Sequence, residues 1–403
     1  MILSQETLAL IFKRYSQHFQ NLAFEMSNFQ ALDDTCRMLL QDLNTDCRLK
    51  CITLKLGSVR TNNTQSQQIS SQQSNDLALI ESLIYNSTRL QHINIISWPV
   101  ESGIVEELGK CPLFSALLSN TKLSQLKSLN LYYADHKMGP WTPFIPRLPS
   151  TASTLTLVSH FKYLKCLSLR SPMLSDELLR EIVSEKRSRL EALKILIMPS
   201  NHPNNHRTPD ISPGTWSAVT LSSPQLKVEY LISTRIPFEH LRKMLTPDIP
   251  LASVIILNYG KCDKELIEIM PEYYSATLEN FTSLCDSPEN DEALIKVVTT
   301  CPQLKSLCYY GEISYLSIIE MARIISLQGR KFDCFKFNPK NVRTNLDPGE
   351  NDETVIKKNG SSEEYDLVAV RQWHRDEDDH QKKLDIMAES VSRALGYHWY
   401  LEK

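Results

Sequence analysis

The sequence predicts an α/β solenoid, in which short parallel strands alternate with helices and each unit packs only on its neighbours. Three observations predict it. A strand-like motif (apolar, two residues, apolar, one residue, apolar) recurs along the chain; its later copies are almost evenly spaced; and the intervals between copies carry amphipathic helix patterns. A chain of 403 residues with 42% hydrophobic content can bury a large core. A solenoid lets that core lengthen without division into separate globular domains.

The motif appears at Phe19-Leu22-Phe24, Leu49-Ile52-Leu54, Leu90-Ile93-Ile95, Leu126-Leu129-Leu131 and Leu164-Leu167-Leu169. It returns at Leu190-Leu193-Ile195, Leu251-Val254-Ile256, Leu304-Leu307-Tyr309 and Phe332-Phe335-Phe337, with weaker copies at Leu226-Val228-Tyr230 and Leu278-Phe281. From Leu226 onward the first apolar positions are 25, 27, 26 and 28 residues apart, inside the roughly 20–29 residue period of leucine-rich repeats. One copy is weak support, since any buried strand can produce it; a run at this spacing is strong. The pattern predicts a curved horseshoe with its strands on the concave face and its helices outside. Side chains alternate along a strand, so the apolar set points into the core and the intervening set faces solvent.

The helices follow from the intervals. In LSDELLREIVSEKRSRLEAL, Ser175 is placed to cap a helix whose apolar stripe is Leu178, Leu179, Ile182 and Val183. DEALIKVVTTCPQL and SYLSIIEMARIISLQGR repeat the arrangement. Early steps are longer, and three polar or proline-rich insertions absorb the excess: 60–75, 138–153 and 199–215. Three residues past the strand, where regular repeats carry Asn or Cys, stand Gly57, Trp98, Ala134, Pro172 and Met198. The repeat is therefore degenerate, and no asparagine ladder is expected there. The solenoid is expected to occupy 1–338, followed by a flexible polar loop over 339–364 and a strand-helix capping unit over 365–403.

With the repeats placed, the chain resembles F-box-only proteins that carry degenerate leucine-rich repeats. The resemblance lies in local stretches: LSDELLREIVSEKRSRLEALKI, TWSAVTLSSPQLKVEYL with FEHLRKMLTPDIPLASVIIL, and ETLALIFKRYSQHFQNLAFEM. It covers most of the chain by pattern more than by identity. Proteins of that family are substrate receptors of cullin-type ubiquitin ligases: an N-terminal F-box docks on the Skp adaptor and the repeats hold the target. Leu3, Glu6, Leu8, Ile11 and Phe12 stand at F-box-like places, but Ser4 replaces the expected proline and no Cys-x-x-x-Trp-like ending follows. The F-box itself is thus expected to be missing or degenerate, with Skp adaptor and cullin as partners only if an F-box is present or supplied upstream. The resemblance implies a non-catalytic, protein-binding role; the alternative is a ligase-independent repeat scaffold or inhibitor using the same face.

No residue set argues for chemistry. The net charge of −3 supplies no basic field for nucleic acid, and no apolar run reaches the roughly 18 residues of a membrane span. Eleven glycines include neither a GxGxxG nor a GxxxxGK[ST] motif. His374 and His380 in QWHRDEDDH stand six apart, off the helical spacing of paired ligands; His202 and His206 lie in an insertion that holds no helix. No cofactor or metal is expected. Ten cysteines without tight pairing read as thiols of a reducing compartment, cytoplasm or nucleus. What remains is surface. Asn94, Ser128, Asn130, Ser168, Arg170, Lys194, Ser306 and Tyr310, with Tyr132 and Tyr133, are expected on the concave face; Trp141 and Phe144 are loop candidates.

Overall fold

The computed structural model describes residues 18–26, 34–45, 48–56, 71–97, 112–131, 151–197, 211–344 and 380–400, with a few isolated positions besides. They form two compact units, one of 1–231 with 239–250 and one of 232–238 with 251–403. Each is a stack of leucine-rich repeats.

In the first unit the strands are β1 (Asn21–Met26), β2 (Cys51–Leu56), β3 (His92–Ser97), β4 (Ser128–Asn130), β5 (Cys166–Arg170), β6 (Ala192–Ile197) and β7 (Lys227–Ile232). β1 to β6 pair in chain order, all parallel; β7 joins through the Lys227 amide, which donates to Glu191 O at 2.9 Å. The helices are α1 (Asp34–Thr45), α2 (Ser71–Asn86), α3 (Pro112–Ser119), α4 (Thr151–His160), α5 (Asp176–Ile182), α6 (Pro213–Ser222) and α7 (Phe238–Met244). In the second unit β8 (Leu251–Ile256), β9 (Asn280–Ser283), β10 (Ser306–Tyr309) and β12 (Cys334–Phe337) pair in parallel. β11 (Ile313–Ser314) and β13 (Val342–Arg343) form a separate parallel pair. α8 (Lys264–Tyr274), α9 (Asp291–Thr300) and α10 (Tyr315–Leu327) follow their strands, and a last helix, α11, covers 380–395.

The apolar motif builds the core as three stacked rows. Leu49, Leu90, Leu126, Leu164, Leu190 and Leu226 form the first, and Ile52, Ile93, Leu129, Leu167 and Leu193 the second; all are buried. Leu54, Ile95, Leu131, Leu169 and Ile195 form the third. Zero register shift across most of the parallel pairs keeps each row in line, because a one-residue slip would turn every apolar side chain to the other face. The second unit repeats the rows with Leu251, Leu278, Leu304 and Phe332 at the first position, all buried. Ser283 interrupts the last row, and Tyr309, its register partner on β10, is the larger neighbour. The Tyr309 hydroxyl donates to Pro288 O at 3.1 Å and accepts from Asn290 Nδ2 at 3.0 Å.

A second device joins successive repeats. A helix leaves its last carbonyls without partners inside the helix, and in this stack those carbonyls are buried. In three places a side chain from the segment after the next helix supplies the donors. Asn120 Nδ2 donates to Ile84 O (2.7 Å) and Ser87 O (3.1 Å) at the end of α2. Arg187 donates to Val158 O and Phe161 O at the end of α4. Arg330 donates to Val298 O and Cys301 O at the end of α9. In every case the acceptors are the residue two before the helix's last and the residue just after it.

The sequence-level boundaries shift at the insertions. The stretch 60–75 gives way to helix at Ser71, 138–153 at Thr151 and 199–215 at Pro213. Proline is excluded from a helix interior but suits its first turn, where the missing N–H has no partner to lose. Pro213 therefore opens α6 behind Ser212. Ser175 caps α5 as expected, accepting from the Leu178 amide at 3.2 Å. At the C-terminal end, the Cys334 amide points to β10, donating to Lys305 O, so the polar groups of Phe335 point to the open edge. There Trp399 Nε1 donates to Phe335 O at 2.6 Å, with Leu384, Met387 and Val391 of α11 buried. The strand expected within 365–372 lies outside the described residues.

Candidate protein-binding face

Strand alternation and parallel register set the face opposite the core. On β2 to β6 two rows run across it. Cys51, His92, Ser128, Cys166 and Ala192 are register partners in one; Thr53, Asn94, Asn130, Ser168 and Lys194 in the other. With neighbouring strands about 4.8 Å apart, five strands carry each row over roughly 19 Å. The second row is linked side chain to side chain at its ends. Asn94 Nδ2 donates to Thr53 Oγ1 at 3.0 Å, and Lys194 Nζ lies 3.2 Å from Glu229 Oε1 on β7. Asn94, Ser128, Asn130 and Lys194 are half-buried, which suits groups held in place by neighbours yet open to a ligand.

Ser168 and Arg170 differ. Both were expected as solvated strand surface, and both are buried, each 4% exposed. Arg170 pairs in register with Leu196, itself buried on the same face. Burial pushes the Arg170 guanidinium down to about 10.

Ser306 and Tyr310 belong to the second unit. Ser306 opens β10 in a row with Ser253, Asn280 and Cys334. Tyr310 stands one residue past β10, its amide donating to Ser283 O at 2.9 Å and its carbonyl accepting from Asn341 Nδ2. Tyr132, Tyr133, Trp141 and Phe144 lie outside the described residues, as do His202, His206, His374 and the acidic run beside it. Thr53, His92 and Glu229 stand in or beside the same rows and were not among the residues chosen from the sequence. Their signal was present: each is the register equivalent or the charge complement of a residue that was chosen.

Among the described residues no three His, Cys, Asp or Glu side chains converge as metal ligands, and no helix is long and apolar enough to cross a membrane. Cys262, Cys285 and Cys301 are buried as thiols. Burial is the main cause that pushes the Cys301 thiol up to about 11 and the Cys262 thiol further up.

Comparison with known proteins gives relatives of one kind. The chain is 26% identical over 219 residues to F-box/LRR-repeat protein 21 of Ovis aries, covering 54% of this chain and 43% of that protein. It is 25% identical over 323 residues to F-box/LRR-repeat protein 21 of Mus musculus, covering 78% and 65%. It is 24% identical over 275 residues to F-box only protein 33 of Mus musculus, covering 63% and 45%. The chain spans about half the length of the curated relatives it matches. No family model matches. The crystal structure of a TLR13–ssRNA13 complex aligns over 75% of this chain and 45% of that one, at 11% identity and a TM-score of 0.29.

Proposed function

We propose that the repeats hold a protein target on the polar face opposite the core, and that the chain is the substrate-recognition arm of an F-box-type ubiquitin-ligase receptor. The observation that carries this reading is the polar row Thr53, Asn94, Asn130, Ser168 and Lys194, running in register across five strands as an extended platform of the kind solenoids offer to partners. The similarity to F-box/LRR-repeat proteins supports the ligase half of it. Such an arm does no chemistry. It keeps the target close to a ligase-bound conjugating enzyme, where proximity replaces a bimolecular encounter. The buried thiols fit a protein of the reducing interior, cytoplasm or nucleus.

The test is binding to purified Skp adaptor, with the 403-residue chain beside a version extended by any upstream coding sequence. Adaptor binding by the extended version alone supports the reading as stated. Binding by the shorter chain supports it too and places a divergent F-box in its first residues. If neither binds, the ligase reading falls and a repeat scaffold or inhibitor takes its place.

A further inference from the structure

Arg170 closes β5 on the face opposite the core and is 4% exposed. An arginine buried so deeply normally faces a carboxylate or several carbonyls, because an unpaired charge away from water is costly. Among the described residues no such partner reaches Arg170, and its Nε is buried without a hydrogen bond.

Other buried or half-buried arginines of the chain show what is missing. Arg187 and Arg330 each donate to two helix-end carbonyls. Arg343 sits 2.7 Å from Glu289 and 3.0 Å from Asp291. Burial lowers its pKa too, yet those carboxylates carry it above its ordinary value. Around Arg170 stand Ser168, two residues back on the same face, and Leu196, its register partner on β6, both buried. The arrangement is a buried cation beside a serine and a leucine, at the end of a strand that carries the second row.

We infer that Arg170 receives a carboxylate, from an aspartate or glutamate side chain of the protein bound on this face. The inference rests on the reading that the face binds protein. A guanidinium presents a planar fork of N–H donors that matches a carboxylate in two hydrogen bonds, and desolvation strengthens that pairing. The charge balance selects a carboxylate over a phosphorylated side chain. The nearest cation of the rows, Lys194, is already paired with Glu229, so among the described residues Arg170 is the charge left to meet the ligand. That suits one negative charge better than the nearly two of a phosphate.

The experiment is selection of peptides from a displayed random library on the folded 403-residue chain, in parallel with Arg170→Met, Arg170→Lys and Asn130→Arg. Arg170→Met removes a buried charge that has no partner among the described residues, so it is expected to fold and to melt at or above the wild-type temperature. Wild-type peptides should share an Asp or Glu at one fixed position and lose at least about tenfold in affinity on Arg170→Met, with partial recovery on Arg170→Lys. Phosphoserine or phosphotyrosine at that position should weaken binding; tighter binding would overturn the carboxylate assignment. Peptides without a fixed acid, or binding equally to Arg170→Met, would overturn the inference while leaving the face intact if Asn130→Arg abolishes their binding. Recovery of no peptide, or of peptides indifferent to Asn130→Arg, would sink the inference and the protein-binding face together.

Discussion

Substituting Asn120 by alanine tests whether the donors that link successive repeats hold the stack together. Asn120 is 3% exposed, and both its carbonyl partners belong to fully buried residues, Ile84 and Ser87. The substitution strips one donor from each carbonyl at 2.7 Å and 3.1 Å, and it removes the acceptor of the Lys122 amide at 3.0 Å. Ser87 O is left without its Asn120 donor, at about 1–1.5 kcal/mol, while Ile84 O keeps the Ser87 amide at 3.3 Å and loses only its shorter bond, about 0.5–1 kcal/mol; losing the cap of the following turn costs about 0.5–1 kcal/mol. The sum is about 3 kcal/mol. For a unit of this size that is a fall in melting temperature of roughly 6–12 °C. The assay is thermal melting followed by far-ultraviolet circular dichroism, with hydrogen exchange read at Ser87 and Leu123, whose amides bond inside this junction. Asn120→Asp sharpens the test. Its carboxylate keeps the cap but sets a negative oxygen against two carbonyls, which raises its folded pKa. A raised carboxyl pKa means the variant is best at low pH and loses stability as pH climbs through the folded value. A melting shift under about 2 °C for Asn120→Ala, or unchanged exchange at Ser87, would refute the argument, since water would then be serving the carbonyls as well as Asn120 does.

Two further predictions concern the second unit. Trp399→Phe keeps the ring that packs 6.2 Å from Phe335 but removes the indole donor to Phe335 O; it should cost about 1–3 kcal/mol and speed exchange along β12, and an unchanged melt would show that the edge needs no cover. Cys262, Cys285 and Cys301 should resist iodoacetamide at pH 8 in the folded chain while half-buried Cys334 reacts, because burial both shields them and raises the Cys262 and Cys301 thiols; mass spectrometry showing Cys262 alkylated as fast as Cys334 would contradict that burial.

The strand rows were legible in the sequence because their signal is local. The spacing of Leu164, Leu167 and Leu169 states which side chains go inside, and the intervening Ser168 goes to the other face. The same logic reached Ser175 as a cap. It failed where a residue's partner lies one repeat away. Arg187 reads as one more charge in SEKRSR, yet it serves carbonyls 26 and 29 residues earlier. Arg330 does the same at 29 and 32. Nothing local distinguishes these from a solvated arginine. Arg170 failed for the same reason in reverse: alternation placed it on the open face, and alternation cannot report that its side chain is buried among its neighbours there. The helix starts at Ser71, Thr151 and Pro213 were missed because polar or proline-rich composition was read as irregular through to its end.

The missing asparagine ladder and the helix-end donors are two sides of one problem. Regular repeats satisfy loop backbone with a side chain at a fixed place after the strand; here that place holds Gly57, Trp98, Ala134, Pro172 and Met198, of which only Trp98 carries a side-chain N–H. The stack still buries helix-end carbonyls, and the requirement to satisfy them does not lapse. Asn120, Arg187 and Arg330 meet it from the other side of the helix layer, at the same two acceptor positions each time. This frees the segments after the strands to vary in length and composition, as the insertions do. It also means that each such repeat is completed by the next one. Trp399, donating from beyond α11, serves a strand carbonyl at the open edge of β12 instead of a helix end, and its loss should propagate backward from β12 toward β10 before it reaches β8.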